Sequence, residues 1–407
     1  MIDPATRQFI DGHRQCDIHQ LALHSRNHGD VDMAVAVEQI AGWQKARTKI
    51  PSWAAATDIV YPAHLSMEQC SSEQTARYKQ QVCRRLLNDY AEGHHESMTD
   101  LTGGFGVDFA ALCSLFDKGI YIEQEANLCA CARHNFKVLG LKQAIVKEDD
   151  CQEVLDALPH QELIYADPAR RDLHGSRTFA IGDCTPDVLK LLVALLQKAD
   201  ILMLKLSPML DWHHTLASLN GICPGSVREI HIVAVGNDCK ELLVVLTSHT
   251  SDNPITIYCV NDEHTTIFKD IPSPSLPIIN DITTLKGKHL YEPHAAVMKA
   301  GCFAALAHDF GVTALGQNSH LFVSDKNILD FPGRRFLIRA VSTMNKHMLR
   351  QNLDGMKKAN ITVRNFPMSV ADLRKRLRLA DGGDCYIFAT TIGKEHLLII
   401  CERLASS

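Results

Sequence analysis

Apolar residues change their spacing near residue 97, and the change divides the chain into regions of different architecture. Before it, residues 1–92 carry helix-spaced apolar positions and no β-rich run. Val31, Val35 and Ile40 mark a helix over 31–43, and Pro51 and Pro62 then interrupt the pattern. The polar stretch 66–87 opens with Ser/Thr caps and continues as one long helix. Two readings of it stay open. It is a prefix packing on the main domain, or a segment whose Ser71, Ser72, Thr75, Arg77 and Lys79 help to close a pocket.

From residue 97, short apolar runs alternate with helix-spaced segments. Strands are expected over 98–101, 119–123, 144–147, 162–166 and 200–206, with helices over 107–116, 126–139, 151–158 and 185–198. Such alternation builds a parallel sheet with helices on both faces. Two longer apolar strands follow, 227–235 and 241–247, and the turn between them is too short for a crossover helix. They must form an antiparallel hairpin, which separates this sheet from the all-parallel dehydrogenase Rossmann fold.

Residues 250–275 read as a further small β-hairpin, and the Pro-rich joint 270–281 reads as a boundary. Beyond it the pattern predicts a helix over 293–310 with Pro293 at an early position, and a strand over 320–324. A compact α+β unit closes the chain: strand 336–341, helix 343–359, strand 361–365, helix 369–379, strands 385–391 and 396–401. Four regions result, with expected bounds 1–95, 96–275, 276–333 and 334–407.

Composition narrows the class. With 407 residues, 46% hydrophobic and 22% charged, the chain suits a multi-domain globular protein. No apolar run is long enough to span a bilayer, and no basic-then-apolar leader opens the chain. Fourteen cysteines without a CxxC pair fit reduced thiols in a cytoplasmic protein better than disulfides or zinc. Twenty-one histidines without HExxH spacing give no metal site.

Charge is unevenly spread. The whole chain carries −5, yet residues 333–378 hold twelve Lys/Arg against Asp354 and Asp372, a surplus of +10. Either this region meets a polyanion, or it is a solvated basic face. Its predicted helices carry Lys346, Arg350, Lys357, Lys358, Arg374, Lys375, Arg376 and Arg378.

Candidate chemistry falls at the carboxyl ends of successive strands, where open α/β sheets bind ligands. Asp100 leads into the glycine-rich loop Thr102-Gly103-Gly104-Phe105-Gly106, in which missing side chains let backbone approach a ligand. Glu123 ends the next strand about twenty residues on, placed to accept both hydroxyl bonds of a ribose. Asp149 or Asp150 ends the third and could bond an exocyclic adenine amine. Asp167-Pro168-Ala169-Arg170 ends the fourth. Each acid alone is as well explained as a helix cap. All four in order are not.

On these residues, 97–247 resembles the class I S-adenosylmethionine-dependent methyltransferases, with Thr102 where the family's glycine motif has its first glycine. The resemblance implies a Rossmann-like seven-stranded α/β sheet, with a helical N-terminal region and small C-terminal α+β domains around it. It implies S-adenosylmethionine held by Asp100, Thr102, Gly103, Gly104, Gly106, Glu123 and Asp149 or Asp150. Similar enzymes that methylate amines carry D/N-P-P-aromatic at the fourth strand. Asp167 and Pro168 keep the first two places, and Arg170 replaces the aromatic.

The same residues resemble uracil-C5 RNA methyltransferases, but those need a cysteine after the fifth strand, where this chain has Lys205-Leu206-Ser207. The C-terminal part resembles the ferredoxin-like and THUMP-like modules attached to some bacterial methyltransferases, and THUMP domains bind structured RNA. An RNA base nitrogen is the expected acceptor, with Lys205, Ser207, Arg171, Arg374, Lys375 and Arg376 as further substrate contacts. A small-molecule or protein acceptor, or a non-catalytic RNA-binding protein on a decayed fold, are the alternatives.

Overall fold

The structure is a computed structural model and describes residues 2–23, 29–91, 93–170, 180–269, 275–279 and 281–404. Two compact units emerge: Met1–Glu229 with Leu242–Asn253, and Ile230–Glu241 with Pro254–Ser407.

In the first unit, five strands form a parallel sheet: β1 (Ser97–Asp100), β2 (Lys118–Glu123), β3 (Ala144–Glu148), β4 (Gln161–Ala166) and β5 (Ala199–Leu206). Their order is β3-β2-β1-β4-β5. β4 and β5 are buried almost along their whole length, which explains why they read as continuous apolar runs. The chain continues through a hairpin of β6 (Val227–Val235) and β7 (Asp238–Thr247), of which Ile230–Glu241 belong to the second unit. β7 lies antiparallel beside β5, with Ile201 opposite Thr247 and Leu206 opposite Leu242. The start of the hairpin lies beyond β7, where the Thr247 N–H donates to the Ser226 carbonyl at 3.0 Å. The strand order reverses at β1, flanked by β2 on one side and β4 on the other. That switch point leaves a crevice at the strand ends, and the glycine loop follows β1 into it.

The N-terminal residues pack against this sheet as helices Pro4–His13, Ile18–Leu23, Met33–Lys49, Pro51–Ala55, His64–Gln69 and Glu73–Tyr90. The stretch expected as one helix over 66–87 is two, because the Ser72 side chain accepts the Thr75 N–H and so caps a new start. Pro51 opens a helix rather than only ending one, since the first turn needs no N–H there. Helix Glu73–Tyr90 buries a stripe of Thr75, Ala76, Lys79, Val82, Cys83, Leu86 and Leu87. Asn135 grips Val60 twice, accepting its N–H at 2.9 Å and donating to its carbonyl at 2.8 Å. Trp53 and Tyr61 lie against Phe105 of the glycine loop, at 4.9 and 6.3 Å between ring centres. The helical prefix and the sheet therefore share one apolar core.

The second unit holds an antiparallel ribbon, Thr256–Asn261 against His264–Lys269. It also holds a seven-stranded sheet in the order Thr313–Ala314, Phe322–Ser324, His289–Pro293, Gly333–Thr343, Glu395–Arg403, Cys385–Ile392, Asn360–Arg364. Leu290, Phe336, Phe388 and Ile399 anchor one core, and Ile361, Leu373, Ile387 and Leu398 a second. The helix expected over 293–310 is instead Ala295–Ala300 and Phe303–Phe310. Gly301 ends the first with φ +70°, a left-handed stop that glycine accepts readily, and Pro293 closes a strand. Helices Lys346–Leu353 and Val370–Leu377 are shorter than expected at their carboxyl ends. Of the Pro-rich joint, residues 270–274 and 280 lie outside the described residues. No helix among the described residues is long and apolar enough to cross a membrane.

Candidate active site

The glycine loop is shaped by what lies under it. A Cβ on Gly103 would sit 2.2 Å from the Tyr121 ring, and one on Gly106 would sit 2.8 Å from Phe136. Only glycine lets the loop settle onto that aromatic floor, and φ of +56° at Gly104 and +85° at Gly106 adds a conformational reason. Above Gly104 there is open space: the nearest atom to an added Cβ is the Thr102 carbonyl oxygen at 3.8 Å.

The acids expected at the strand ends differ in what they already hold. Glu123 Oε2 accepts the Gly104 N–H at 2.9 Å, and its Oε1 accepts those of Gln124 and Glu125 at 2.8 and 2.9 Å. This fixes the carboxylate at the loop's edge. Asp150 is committed: Oδ1 takes the Gln152 N–H at 2.7 Å as a helix cap, and Oδ2 takes Gln124 Nε2 at 2.7 Å. Asp149 is exposed, and among the described residues its Oδ1 accepts only the Asp150 N–H, at 3.0 Å. Of the two, Asp149 is the better placed to meet a ligand.

Asp100 is 1% exposed. Burial pushes its carboxyl up to about 8, against a bond from the Thr102 N–H at 2.9 Å, and the carboxylates of Asp108, Asp167 and Glu123 push the same way. Thr102 ties two strand ends together. Its hydroxyl lies 3.4 Å from Asp100 Oδ1 and accepts the Asp167 N–H at 2.7 Å.

Asp167 stands just past β4, half-buried, and its Oδ2 accepts from the Lys205 ammonium at the end of β5. Pro168 is buried. Ala169–Arg170 forms a two-residue strand against Cys184–Thr185. The Arg170 side chain and Arg171 lie outside the described residues. Ser207 is a turn residue: its hydroxyl accepts the Met209 N–H at 3.2 Å and its carbonyl the Leu210 N–H at 3.1 Å.

A buried acid that the sequence reading passed over, Asp108, sits beneath Asp167. Its Oδ2 accepts the hydroxyls of Ser71 and Tyr165, each at 2.7 Å, and faces Lys205 Nζ at 3.8 Å. Lys79 Nζ faces its Oδ1 at 3.2 Å, off the hydrogen-bonding direction. Burial alone would raise this carboxyl, but the two ammonium groups and two hydroxyls outweigh it and hold it below the ordinary value. Of the N-terminal residues expected near a pocket, Ser71 and Lys79 reach this cluster. Ser72 and Thr75 serve the helix cap, and Arg77 pairs with Glu73 at the surface.

In the second unit, Arg374 is engaged by Asp381 at 2.6 Å and by the Ala359 carbonyl at 3.2 Å. Lys375 and Arg376 are exposed on the same helix. Arg334 and Arg364 both pair with the buried Glu292, and Arg339 pairs with Glu402, so part of the basic surplus is neutralised internally.

The ferredoxin-like domain family matches residues 289–332, and the THUMP domain-like family matches 333–403. An uncharacterized S-adenosylmethionine-dependent methyltransferase of Mycobacterium tuberculosis H37Rv is 23% identical over 330 residues, 81% of this chain and 84% of that one. A solved structure from Porphyromonas gingivalis W83, designated a methyltransferase, is 32% identical with a TM-score of 0.82, and the match covers 100% of both chains. The chain belongs to this family of class I S-adenosylmethionine-dependent methyltransferases. The methyltransferase's own residues suit its cofactor. A glycine loop with open space above it and an anchored carboxylate at its edge can take a nucleoside, and buried Asp100 offers a carboxyl to a cation.

Proposed function

We propose that this methyltransferase moves the cofactor's methyl group to a nitrogen of an RNA base. The observation that carries the reading is the 2.7 Å hydrogen bond from the Asp167 N–H to Thr102 Oγ1, because it joins the acceptor motif to the glycine loop across the switch point. The sulfonium supplies the methyl group. Asp100, Thr102, Gly103, Gly104, Gly106, Glu123 and Asp149 bind the nucleoside and methionine ends, and Asp150 stiffens the turn beside them. Asp167 accepts a hydrogen bond from the base amine, Pro168 fixes the backbone, and Arg170 stacks on the base or meets a phosphate with Arg171. Orientation for in-line transfer supplies most of the rate: the amine attacks in its neutral form, and the proton that the methylated nitrogen must then lose passes to water, so no dedicated base is required.

The RNA acceptor draws its support from the THUMP-like match and the +10 surplus of residues 333–378, with Lys375 and Arg376 as exposed phosphate contacts. The functional division follows as 1–95, 96–275, 276–333 and 334–407, with the RNA-binding role in the last part. Fourteen free cysteines suit a reducing, cytoplasmic setting. Mass spectrometry of nucleosides in total RNA, from cells with and without the protein, tests the reading. A methylated nucleoside that disappears with the protein supports it, and identical profiles overturn it in favour of a protein or small-molecule acceptor.

A further inference from the structure

Beneath Asp167 runs a buried row of alternating charges, of which the proposed transfer uses only the outermost member. Lys79, fully buried, faces Asp108, Asp108 faces Lys205, and Lys205 holds Asp167 Oδ2. Two ammonium groups balance two carboxylates. Three of the four, Lys79, Asp108 and Lys205, lie in so dry a place that they cost much desolvation, and well-packed apolar groups of similar volume are often as stable or more so. Stability is a poor reason for the row. Its geometry suggests another: among the described residues Asp167 Oδ1 takes no hydrogen bond, whereas Oδ2 is held.

We propose that Asp108, backed by Lys79, is a positioning residue for methyl transfer. It holds Lys205 so that this ammonium occupies Oδ2 of Asp167 and leaves Oδ1 turned to the acceptor amine. The inference rests on reading Asp167 as the residue that orients the acceptor. A lysine on a four-carbon stem swings freely unless gripped from two sides, and a carboxylate held at one oxygen presents the other in a narrow range. Misplacement of the acceptor by a fraction of an ångström then appears in the rate rather than in cofactor binding. Ser71 and Lys79 lie in the helical prefix, so the N-terminal region becomes part of the catalytic unit.

Asp108→Asn alone removes the carboxylate that both Lys79 and Lys205 face, leaves an excess of buried positive charge and risks unfolding the protein. The pair Lys79→Met with Asp108→Asn removes one charge of each sign and keeps the balance. Tyr165→Phe removes the hydroxyl that donates to Asp108 Oδ2 and leaves every charge in place. Each full-length variant is tested with methyl-labelled S-adenosylmethionine on the RNA, protein and small-molecule fractions of cells lacking the enzyme. The fraction that the wild type labels serves as acceptor.

The double variant should melt within a few degrees of the wild type and bind S-adenosylmethionine within about threefold. Its kcat should fall at least tenfold with the half-saturating acceptor amount little changed, and its crystal structure should show Asp167 turned away. Tyr165→Phe should lose severalfold in kcat with no change in melting, and it decides the matter if the double variant fails to fold. Wild-type rates in the variants, or a loss of cofactor binding in proportion to rate, would overturn the proposal. Label entering protein or small molecules would sink the RNA reading alone, and the rate comparison on that fraction would still decide this one.

Discussion

Replacing Asp100 by asparagine tests whether the carboxyl at the end of β1 is held protonated when no cofactor is bound. In the folded protein this group titrates near 8, against 3.8 for its ordinary value. Between those values the folded state keeps a proton that the unfolded chain has released, so raising the pH disfavours folding. The contribution is complete below the unfolded value and is lost as pH rises through the folded one, at about 1.4 kcal/mol per pH unit between pH 5 and 7. The slope needs only that the two values flank the window. Asparagine keeps the shape and can accept the Thr102 N–H, but it does not titrate.

Urea midpoints for wild type and Asp100→Asn at pH 5, 6, 7 and 9 isolate the group, because titrations away from the Asp100, Asp108, Asp167 and Glu123 cluster cancel in the difference. The variant should gain roughly 2.7 kcal/mol on the wild type from pH 5 to 7, with the gain levelling off above 8. Lines that stay parallel from pH 5 to 9 would refute the reasoning. A corollary concerns the cofactor. A sulfonium cation favours the ionised carboxyl, so affinity for S-adenosylmethionine should rise with pH towards 8 in the wild type and stay flat in the variant.

Four further outcomes follow from the same geometry and from the proposed RNA acceptor. Glu123→Gln keeps one acceptor oxygen and turns an NH2 donor towards N–H groups that the other oxygen accepted, and it should weaken S-adenosylmethionine binding about tenfold or more by calorimetry. Gly103→Ala drives a methyl group into the Tyr121 ring and should cost about 1–3 kcal/mol in urea unfolding, with loss of cofactor affinity. Asp167→Ala should retain cofactor binding yet abolish methyl transfer to RNA from cells lacking the enzyme. Lys375→Glu with Arg376→Glu should weaken RNA binding and reduce the salt slope of log K by about 2, read from filter binding across salt concentrations.

The central strands β2, β4 and β5 are legible in the sequence because strands buried on both faces must be largely apolar. The five parallel strands begin and end within a residue of where the runs do. The hairpin is legible for a topological reason, since seven residues or fewer cannot cross a sheet. What sequence hides is partnership at a distance. Asp108 reads as an ordinary acid in the first turn of a helix, where the helix dipole welcomes it. Nothing local announces Lys79 or Lys205 as its partners. One sign was available: Lys79 falls on the stripe of Thr75, Ala76, Val82, Cys83 and Leu86, where a lysine must find a buried counter-charge. The choice between Asp149 and Asp150 was likewise closed to sequence, because both are adjacent acids and only hydrogen bonding separates cap from open carboxylate. Gly301 was readable as a helix stop, and its neighbours' apolar spacing masked it.

The most direct test is a crystal structure of the full-length protein with S-adenosylhomocysteine. The account predicts the nucleoside above Gly104, its ribose hydroxyls on Glu123, its adenine amine beside Asp149 and its sulfur facing Asp167. A nucleoside bound elsewhere, or one in the crevice with its sulfur turned away from Asp167, would contradict it.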